Sequence, residues 1–361
     1  MIYILTFLIS IFFAFFSEFL KNRFAKIGML FLSMLPLLLI GGLKDTTIGA
    51  DTMAYPFTSF TWAQGYVPIR EYLDGEMIEP LYVLIVWFIV HFIGNDFQSV
   101  LFVTNAFIVV FFYMGFYRYR KFAPLPYAVF LFCFLFYNNF LSMSRQGMAE
   151  ALVFWASSFL VLDKKWIPFA VSIVVAFFIH KSAIASFLMI PCIYIHNRKL
   201  NNWIVAGAIL VFLAYSTIMK YFVSFDMFDK YEQYQTGEDY EGFFSITEFA
   251  IRFILLGSIL LVTQKNRKDA FYKNMVTIFI CEFVFNLFQI YSRFMGRIGY
   301  YYYIMYLAMV PYFIWKIGKR KWRGLSLFVI SLASIVIWWW VYIENESAST
   351  YPYTSKILGI Q

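Results

Sequence analysis

Long apolar blocks dominate this chain and leave few folds open to it. Each block runs for about 15–20 residues, the length that a helix rising 1.5 Å per residue needs to cross a bilayer. Backbone polar groups in lipid are satisfied only in helices and closed barrels, and these blocks lack the polar–apolar alternation of barrel strands. The sequence therefore predicts an all-α, polytopic transmembrane helical bundle. The blocks are residues 1–17, 24–43, 80–94, 98–117, 124–140, 147–162, 166–180, 182–196, 202–220, 247–263, 273–290, 298–316 and 325–343.

The composition supports this fold class. Of the 361 residues, 62% are apolar and 14% are charged, whereas soluble domains are about a quarter charged. No linker or internal repeat divides the chain, so we expect residues 1–361 to form one integral membrane domain. Residues 1–17 lack a basic start and a cleavage site, which predicts a retained first helix. Cys133, Cys192 and Cys281 all fall in apolar blocks, which favours inert core thiols over a disulfide framework.

The net charge of +8 points to membrane orientation rather than to nucleic acid, because the basic residues lie in short loops between apolar blocks. Such loops are typically cytoplasmic. The predicted cytoplasmic loops carry Lys21/Arg23/Lys26, Arg118/Arg120/Lys121, Lys164/Lys165, Arg198/Lys199, Lys265/Arg267/Lys268 and Lys316/Lys319/Arg320/Lys321/Arg323. The predicted outer segments are 44–79, 138–146, 180–182, 221–246, 291–297 and the tail from Glu344.

This orientation conflicts with full crossing by every block. Blocks 80–94 and 98–117 lie between the outer loop 44–79 and the basic loop at Arg118. If both crossed the membrane, the outer loop and the basic loop would lie on the same side. Block 80–94 is short and ends in Gly94-Asn95-Asp96, so we expect it to be re-entrant or to lie in the interface. That leaves about twelve full crossings with both chain ends outside; the alternative is thirteen crossings with one basic loop on the wrong side.

Two long outer loops, 44–79 and 221–246, mix carboxylates with aromatic rings. This mixture suits sugar binding, since rings stack on sugar faces and carboxylates accept from hydroxyls. An aromatic belt at the membrane surface is an equally good interpretation.

Polar clusters interrupt the apolar blocks on the predicted outer side, and ionisable groups there are functional candidates. The chain has no glycine-rich phosphate loop, no HExxH and no Gly-x-Ser-x-Gly. Its three histidines, at 91, 180 and 196, are too few and too scattered for a convincing zinc site. Arginine binds phosphate through a planar fork of donors. The outer arginines therefore favour a reaction with a lipid-pyrophosphate leaving group.

Each candidate also has a structural interpretation. Arg145 begins a predicted helix, whose dipole attracts anions, but it would also suit an interfacial arginine that snorkels. His180 lies at a break between two apolar halves, either as a site residue or as a capping or packed histidine. Arg293 and Arg297 are four residues apart on one helix face, and one of them is expected to be structural.

Acidic residues are similarly ambiguous. Asp51 is a candidate base or the N-cap of a surface helix through Tyr55, and Glu79 before Pro80 is expected mainly to start the next helix. Glu150 lies one turn below Arg145 and is a candidate partner for it. Within the predicted spans, Glu282 with Asn286, and Arg252, form either buried structural groups or a transport path.

The order of these clusters resembles the EpsG family of Wzy-like bacterial exopolysaccharide and O-antigen repeat-unit polymerases. The resemblance covers nearly the full length and rests on six weak motifs in order. They are Lys44 with Ile48-Gly49-Ala50-Asp51-Thr52-Met53-Ala54-Tyr55, then Glu79-Pro80, Arg145-Gln146-Gly147-Met148-Ala149, Phe178-Ile179-His180-Lys181-Ser182-Ala183, the stretch from Arg293 to Tyr303, and Pro352-Tyr353.

The resemblance implies a membrane glycosyltransferase of GT-C-like architecture in the bacterial cytoplasmic membrane, with its site facing outward. It would join undecaprenyl-pyrophosphate-linked oligosaccharides by inverting glycosyl transfer, without a metal or soluble cofactor, for O-antigen, capsule or exopolysaccharide. A flippase and a chain-length regulator would be its partners. His180 or Asp51 would supply the base. The substrate-binding residues would be Arg145, Arg293, Arg297, Lys44, Tyr55, Glu79, Gln146 and Tyr300.

Other classes remain open. An O-antigen ligase would use similar chemistry but usually has its dominant outer loop late in the chain. A polyprenyl-linked-sugar glycosyltransferase usually carries an acidic pair in the first loop, which Asp45 and Asp51 keep possible. A lipid-oligosaccharide flippase would keep its charges deep in the spans, and a membrane acyltransferase would use a lone histidine without the arginines.

Overall fold

The computed structural model describes residues 1–65, 78–194, 207, 269–288, 293–317 and 320–360. Within these residues there is no β-strand, and the predicted all-α, polytopic fold is confirmed. The α-helices are α1 (Ile2–Phe19), α2 (Arg23–Gly42), α3 (Thr58–Gln64), α4 (Pro80–Phe92), α5 (Phe97–Tyr119), α6 (Leu125–Leu135), α7 (Tyr137–Ser142), α8 (Ser144–Asp163), α9 (Trp166–Ile179), α10 (Met189–Tyr194), α11 (Ala270–Phe288), α12 (Arg293–Tyr303), α13 (Tyr306–Tyr312) and α14 (Arg323–Trp338).

Four helical stretches of the described part are long and apolar enough to cross a membrane, namely Ile2–Phe19, Arg23–Gly42, Phe97–Tyr119 and Arg320–Glu344. Other predicted blocks are broken. Block 124–140 divides at Phe136 into α6 and α7, and block 182–196 begins as a 3-10 helix, Lys181–Leu188. The predicted spans 202–220 and 247–263 and the outer loop 221–246 lie outside the described residues, so the total of about 12–13 segments stays a prediction.

Local signals in the sequence set several helix ends. The Asn22 side chain accepts from the backbone nitrogens of Phe24 and Ala25 at 2.8 and 3.3 Å and caps α2. Asp96 caps α5 by accepting from the Ser99 nitrogen at 2.8 Å. Pro80 occupies the first turn of α4, where its missing N–H costs nothing.

Helices α5 and α8 pack closely because a glycine faces an aromatic ring. A Cβ atom added at Gly115 would lie 2.6 Å from both Cδ1 and Cε1 of Phe154. Phe154 is fully buried, with its ring centroid 5.3 Å from that of Phe112. Small residues allow this close approach of helices in membranes.

We expect Gly115→Ala to lower thermal stability in detergent, since the Phe154 ring has little room to move and overpacking costs about 1–3 kcal/mol. The matched control is Gly28→Ala in α2, where the new Cβ meets nothing within 4 Å. That control should be neutral or slightly stabilising, because alanine favours helix more than glycine does. Equal melting temperatures for the two variants would contradict this account of the α5–α8 contact.

Buried polar groups join the other spans. The Ser33 hydroxyl on α2 lies 2.7 Å from the Tyr113 hydroxyl on α5 and donates to the Ser10 carbonyl on α1 at 2.7 Å. Asn105 on α5 donates to the Leu37 carbonyl at 3.0 Å. Such bonds between helices typically contribute about 0.6–2 kcal/mol in a membrane. They hold α1, α2 and α5 in one layer.

Helix α4 does not cross the bundle. Its 13 residues extend for only about 20 Å at 1.5 Å per residue. Its first end carries Glu79, whose side chain contacts Arg145 at the start of α8. Shortly after its C-terminal end, Gln98 at the start of α5 donates to the Lys44 carbonyl at 3.2 Å, and Lys44 lies just beyond the end of α2. Both ends thus lie at the same end of the bundle, in agreement with the expectation that block 80–94 is re-entrant or interfacial.

The basic loops that the structure describes gather at the opposite end. Arg118, near the end of α5, pairs with Asp163 at the end of α8, with 2.5 Å between Nη2 and Oδ2. The Lys164 carbonyl accepts from the Tyr194 hydroxyl there. The charge pattern therefore divides the bundle into a basic end and an end that holds the polar clusters.

Candidate functional site

Four of the sequence clusters meet in one pocket at the polar end of the bundle. Arg145, His180 and Arg297 line the same cavity, together with residues of the first loop. The lining residues are Asp51, Tyr55, Pro56, Met143, Ser144, Arg145, Gln146, His180 and Arg297.

Glu79 connects the two principal groups of this pocket. One carboxylate oxygen, Oε2, accepts from Nη1 of Arg145. The other, Oε1, lies 2.9 Å from Nδ1 of His180 and also accepts from the Lys181 backbone nitrogen at 3.2 Å. Glu79 is only 6% exposed, so these contacts are shielded from water. A single buried carboxylate therefore orients both the arginine and the histidine.

The charges of this trio can be assigned. Burial alone would raise the pKa of the Glu79 carboxyl, but the hydrogen bond from His180 and the charge of Arg145 outweigh it and lower the pKa to about 2. Burial also lowers the pKa of His180 below its usual value of about 6.5, against the opposing effect of Glu79. At neutral pH the carboxylate is charged and the imidazole is neutral.

These charges fix the histidine tautomer. A carboxylate can only accept a hydrogen bond, so Nδ1 of His180 must carry the proton that it shares with Glu79. The other ring nitrogen, Nε2, then keeps its lone pair. A carboxylate that holds an imidazole in this tautomer is the arrangement that prepares histidine to act as a base.

Arg145 is fixed from two sides. Its guanidinium carbon lies 3.7 Å from the centroid of the Tyr55 ring, within cation–π range. The partner of its charge is Glu79, so the expectation that Glu150 would be that partner is wrong. Glu150 is fully buried inside α8, where Oε1 accepts from the Gln146 side chain at 2.8 Å. It points into the bundle while Arg145 lies at the helix start.

Gln146 ties α8 to α12, because its side-chain nitrogen donates to the Arg297 carbonyl at 3.1 Å. Of the predicted arginine pair, Arg297 lines the pocket, while the side chain of Arg293 lies outside the described residues. Tyr300 follows on α12, and its hydroxyl accepts from the Asn139 side chain at 3.4 Å. Tyr300 is thus adjacent to the pocket through α7 and is not one of its lining residues.

The first loop brings Asp51 to the pocket. The Asp51 backbone nitrogen donates to the Ser142 hydroxyl at 3.3 Å, which holds the loop against α7. A single helical turn, Met53–Phe57, follows, but its N-cap position falls on Thr52 and carries no side-chain cap bond. The N-cap interpretation is therefore not supported, and Asp51 is one of the residues that line the pocket.

Lys44 lies beside the pocket rather than in it, contrary to the prediction that it contacts substrate. Only 4% of Lys44 is exposed. Its ammonium donates to the Ile48 carbonyl at 2.8 Å, to the Thr52 hydroxyl at 2.9 Å and to the Leu141 carbonyl. Burial lowers its pKa to about 7. All three ammonium donors are used, so Lys44 holds the first loop in shape.

Glu282 and Asn286 are structural in this arrangement. Asn286 donates to Oε1 of Glu282 at 2.5 Å, and the Tyr306 hydroxyl donates to Oε2 at 2.8 Å. These bonds join α11 to α13 and favour the buried-pair interpretation over a transport path. Arg252 lies outside the described residues. In the described part of the chain no three His, Cys, Asp or Glu side chains are grouped as a metal site would require.

Sequence reasoning missed several contacts that build the pocket. The sequence predicted no role for Ser142 or Ser144, although Ser144 lines the pocket and lies 3.4 Å from the Tyr82 hydroxyl. Their only sequence signal was their place beside Arg145. The backbone nitrogen of Lys181 had no signal at all.

Comparison with protein-family models matches residues 27–355 to the model described as the EpsG family. The matched range begins in α2 and includes every pocket residue. No curated protein and no solved structure matches this chain.

Proposed function

The chain belongs to the EpsG family, a family of membrane proteins in polysaccharide biosynthesis, and from that premise we propose that it joins lipid-linked oligosaccharide repeat units. The donor would be an undecaprenyl-pyrophosphate-linked glycan, and the acceptor a sugar hydroxyl on a second such unit. The reaction is an inverting glycosyl transfer that lengthens O-antigen, capsule or exopolysaccharide.

The observation that carries this proposal is the shared carboxylate of Glu79. It orients a cation, Arg145, and a neutral imidazole, His180, on one side of a single pocket. A glycosyl transfer from a pyrophosphate needs these two groups together. One stabilises the negative charge of the leaving group, and the other accepts the proton of the attacking hydroxyl.

In the proposed reaction, the acceptor hydroxyl oxygen attacks the anomeric carbon of the donor while its proton passes to Nε2 of His180. The bond between the anomeric carbon and the pyrophosphate oxygen breaks, and its electron pair leaves with the lipid pyrophosphate. Attack occurs opposite to the leaving group, so a single displacement inverts the anomeric centre. Asp51, which lines the same pocket as His180, would accept a hydrogen bond from an acceptor hydroxyl.

The arginines would hold the pyrophosphate. A guanidinium has five N–H donors, and Arg145 uses Nη1 on Glu79, which leaves further donors for phosphate oxygens. Tyr55 and Glu79 fix its plane beforehand, so little side-chain entropy is lost on binding. Arg297 adds a second charge from α12. Gln146 aligns that helix through the Arg297 carbonyl.

We propose that the chain lies in the bacterial cytoplasmic membrane with this pocket facing outward, where a flippase would deliver the lipid-linked units. Labelling of two single-cysteine substitutions tests this orientation. Met53 is exposed on the first loop and Lys165 is exposed at the basic end, so each is replaced by cysteine. We expect an impermeant maleimide to label Met53→Cys in intact spheroplasts and Lys165→Cys only after permeabilisation. The reverse labelling would place the pocket in the cytoplasm.

The test of the function is polymer formation by the purified chain in liposomes. Lipid-pyrophosphate repeat units from the host are the only glycan supplied, and products are resolved by size. We expect a ladder of two and more repeats with release of undecaprenyl pyrophosphate. In parallel liposomes that also contain lipid A, transfer only to lipid A would indicate a ligase. In either set, movement of units across the bilayer without new bonds would indicate a flippase, and either result would overturn the proposal.

A further inference from the structure

The chain ends in a segment that runs back over the first loop. We name residues 347–356 the C-terminal strap. Its Ser349 carbonyl accepts from the Gly49 nitrogen at 2.8 Å, and its Ala348 carbonyl accepts from the Ala50 nitrogen at 3.1 Å. Farther along, the Thr354 carbonyl accepts from the Asp45 nitrogen at 3.1 Å. The strap is therefore bonded along the loop that leads directly into Asp51.

The strap is itself anchored to the bundle. Thr350 is fully buried; its carbonyl accepts from the Tyr3 hydroxyl on α1 at 2.6 Å, and its hydroxyl lies 3.0 Å from the Asn138 side-chain nitrogen. Asn138 in turn accepts from the Trp338 indole at 2.9 Å. The Tyr353 hydroxyl donates to the Ile40 carbonyl at 2.8 Å. These contacts connect the strap to α1, α2, α7 and α14.

The contact between strap and loop requires unusual backbone on both sides. Ala348 and Ser349 have φ values of 66° and 51°, in the left-handed region that residues other than glycine rarely adopt. Gly49 has a φ of 94°, and a Cβ atom there would lie 2.6 Å from the Leu141 carbonyl oxygen. Such conformations persist where the surroundings determine them strongly and often lie near functional sites.

We infer that the C-terminal strap is a positioning element for the acceptor: it holds loop 45–50 so that Asp51 faces Arg145 and His180. This inference rests on the proposed function. Within the described part of the chain, the loop is also held by the Lys44 ammonium and the Thr52 hydroxyl on the Ile48 carbonyl, and by the Ser142 hydroxyl on the Asp51 nitrogen. Without the strap, Asp51 would sample positions away from the acceptor hydroxyl.

A matched pair at residue 348 tests the strap. Proline fixes φ near −65° and cannot adopt the conformation of Ala348, whereas glycine can. Both substitutions keep the 348 carbonyl that accepts from Ala50. We expect Ala348→Pro to raise the acceptor concentration for half-maximal rate at least tenfold with the donor requirement unchanged, and Ala348→Gly to behave like the wild type. Equal kinetics for the two variants would overturn the inference.

A cross-link provides the rescue. The Thr47 and Thr354 hydroxyl oxygens lie 3.3 Å apart on exposed parts of loop and strap, so cysteines there should form a disulfide. The test protein combines Ala348→Pro with Thr47→Cys and Thr354→Cys. Its oxidised form should return to the wild-type acceptor concentration for half-maximal rate, and its reduced form should not. Failure of the oxidised form would overturn positioning by the strap. Oxidised wild type is the control, because the Cys192 and Cys281 sulfurs lie 3.6 Å apart.

Hydrogen exchange separates this inference from the proposed function. Ala348→Pro should increase deuterium uptake by the peptide 45–52 in the folded protein, whereas Ala348→Gly should not. Unchanged uptake would overturn the strap's hold on the loop. A different outcome would be increased uptake in Ala348→Pro while the wild type makes no polymer from lipid-pyrophosphate units. In that case the strap holds the loop, but the acceptor assignment and the proposed function are both overturned.

Discussion

Glu79→Gln is expected to slow polymer elongation by about 10²–10⁴-fold at matched protein level, the range typical of a lost general base or of a wrong histidine tautomer. The reason is geometric. Glu79 accepts from His180 with one oxygen and from Arg145 with the other. A glutamine has a single acceptor oxygen, so its amide nitrogen must face either the Arg145 donor or the Nδ1 proton of His180. One of the two groups is then displaced or takes the wrong proton.

The pH profile distinguishes this role from a structural one. Neutral His180 is the active base, so the rate should fall as the pH drops through its pKa, which burial holds below about 6.5. Glu79 raises the pKa of His180, although burial dominates. Removing the carboxylate should therefore shift the acid limb of the residual activity to lower pH. Glu79 itself, with a pKa of about 2, should not titrate in the working range.

The control for Glu79 is Glu344→Gln, which removes an exposed carboxylate beyond α14 and should leave both rate and profile unchanged. Glu79→Asp adds a second measurement, because it keeps the charge but is too short to reach both partners. A Glu79→Gln chain with a normal rate, or with a reduced rate and an unshifted acid limb, would make Glu79 a stabilising residue only.

The sequence predicted the fold class well, and it assigned the polar clusters that form the pocket to one side of the chain's spans, because both inferences depend on patterns along the chain. Block length indicates spanning helices, and the alternation of basic and polar loops indicates which loops share an end of the bundle. The same alternation favoured a helix α4 that does not cross the membrane. With one crossing fewer between the first loop and Arg118, Arg118 joins the other basic residues at the basic end.

The pairing inside the pocket could not be read in the same way. Glu79 is separated by 66 residues from Arg145 and by 101 from His180, and no local pattern links them. As the residue before Pro80 it looked like the start of a helix. It does occupy that position, but its side chain makes no cap bond and contacts Arg145 and His180 instead. The Glu150 expectation failed because helical spacing indicates neighbours only on one helix face.

Lys44 and the strap show a second limit. A lysine in an outer loop suggests a contact for phosphate. Lys44 is buried instead, and its ammonium donates to the Leu141 carbonyl, 97 residues away in the sequence. The Pro352-Tyr353 motif marked the strap in the sequence but did not indicate what it does. Its Tyr353 hydroxyl donates to the Ile40 carbonyl on α2, a contact between distant parts of the chain that no local pattern indicates. Both cases depend on backbone carbonyls, which every residue has and which composition does not reveal.

Arg145→Lys is expected to reduce elongation by about a hundredfold or more, although it preserves the charge. Losing one charge-assisted bond to a leaving group in the transition state costs about 2–4 kcal/mol, and each 1.36 kcal/mol is tenfold in rate. Lysine can still reach Glu79, but its ammonium lacks the planar fork that serves Glu79 and a phosphate together. It also loses the flat stacking on Tyr55. Arg145→Ala should be slower still, because it leaves Glu79 buried beside His180 without its cation.

The chain offers a matched control for this substitution in Arg118. Arg118 also pairs with a carboxylate, Asp163, and lies 4.0 Å over an aromatic ring, Phe159, but at the basic end of the bundle. Arg118→Lys therefore changes the same kinds of contact away from the pocket and should leave the polymer ladder normal. If Arg145 merely snorkels to the membrane surface, lysine would serve equally well there, and both lysine variants would give full-length polymer at matched protein level. That result would remove Arg145 from the reaction and leave Arg293 and Arg297 as the remaining candidates for the pyrophosphate.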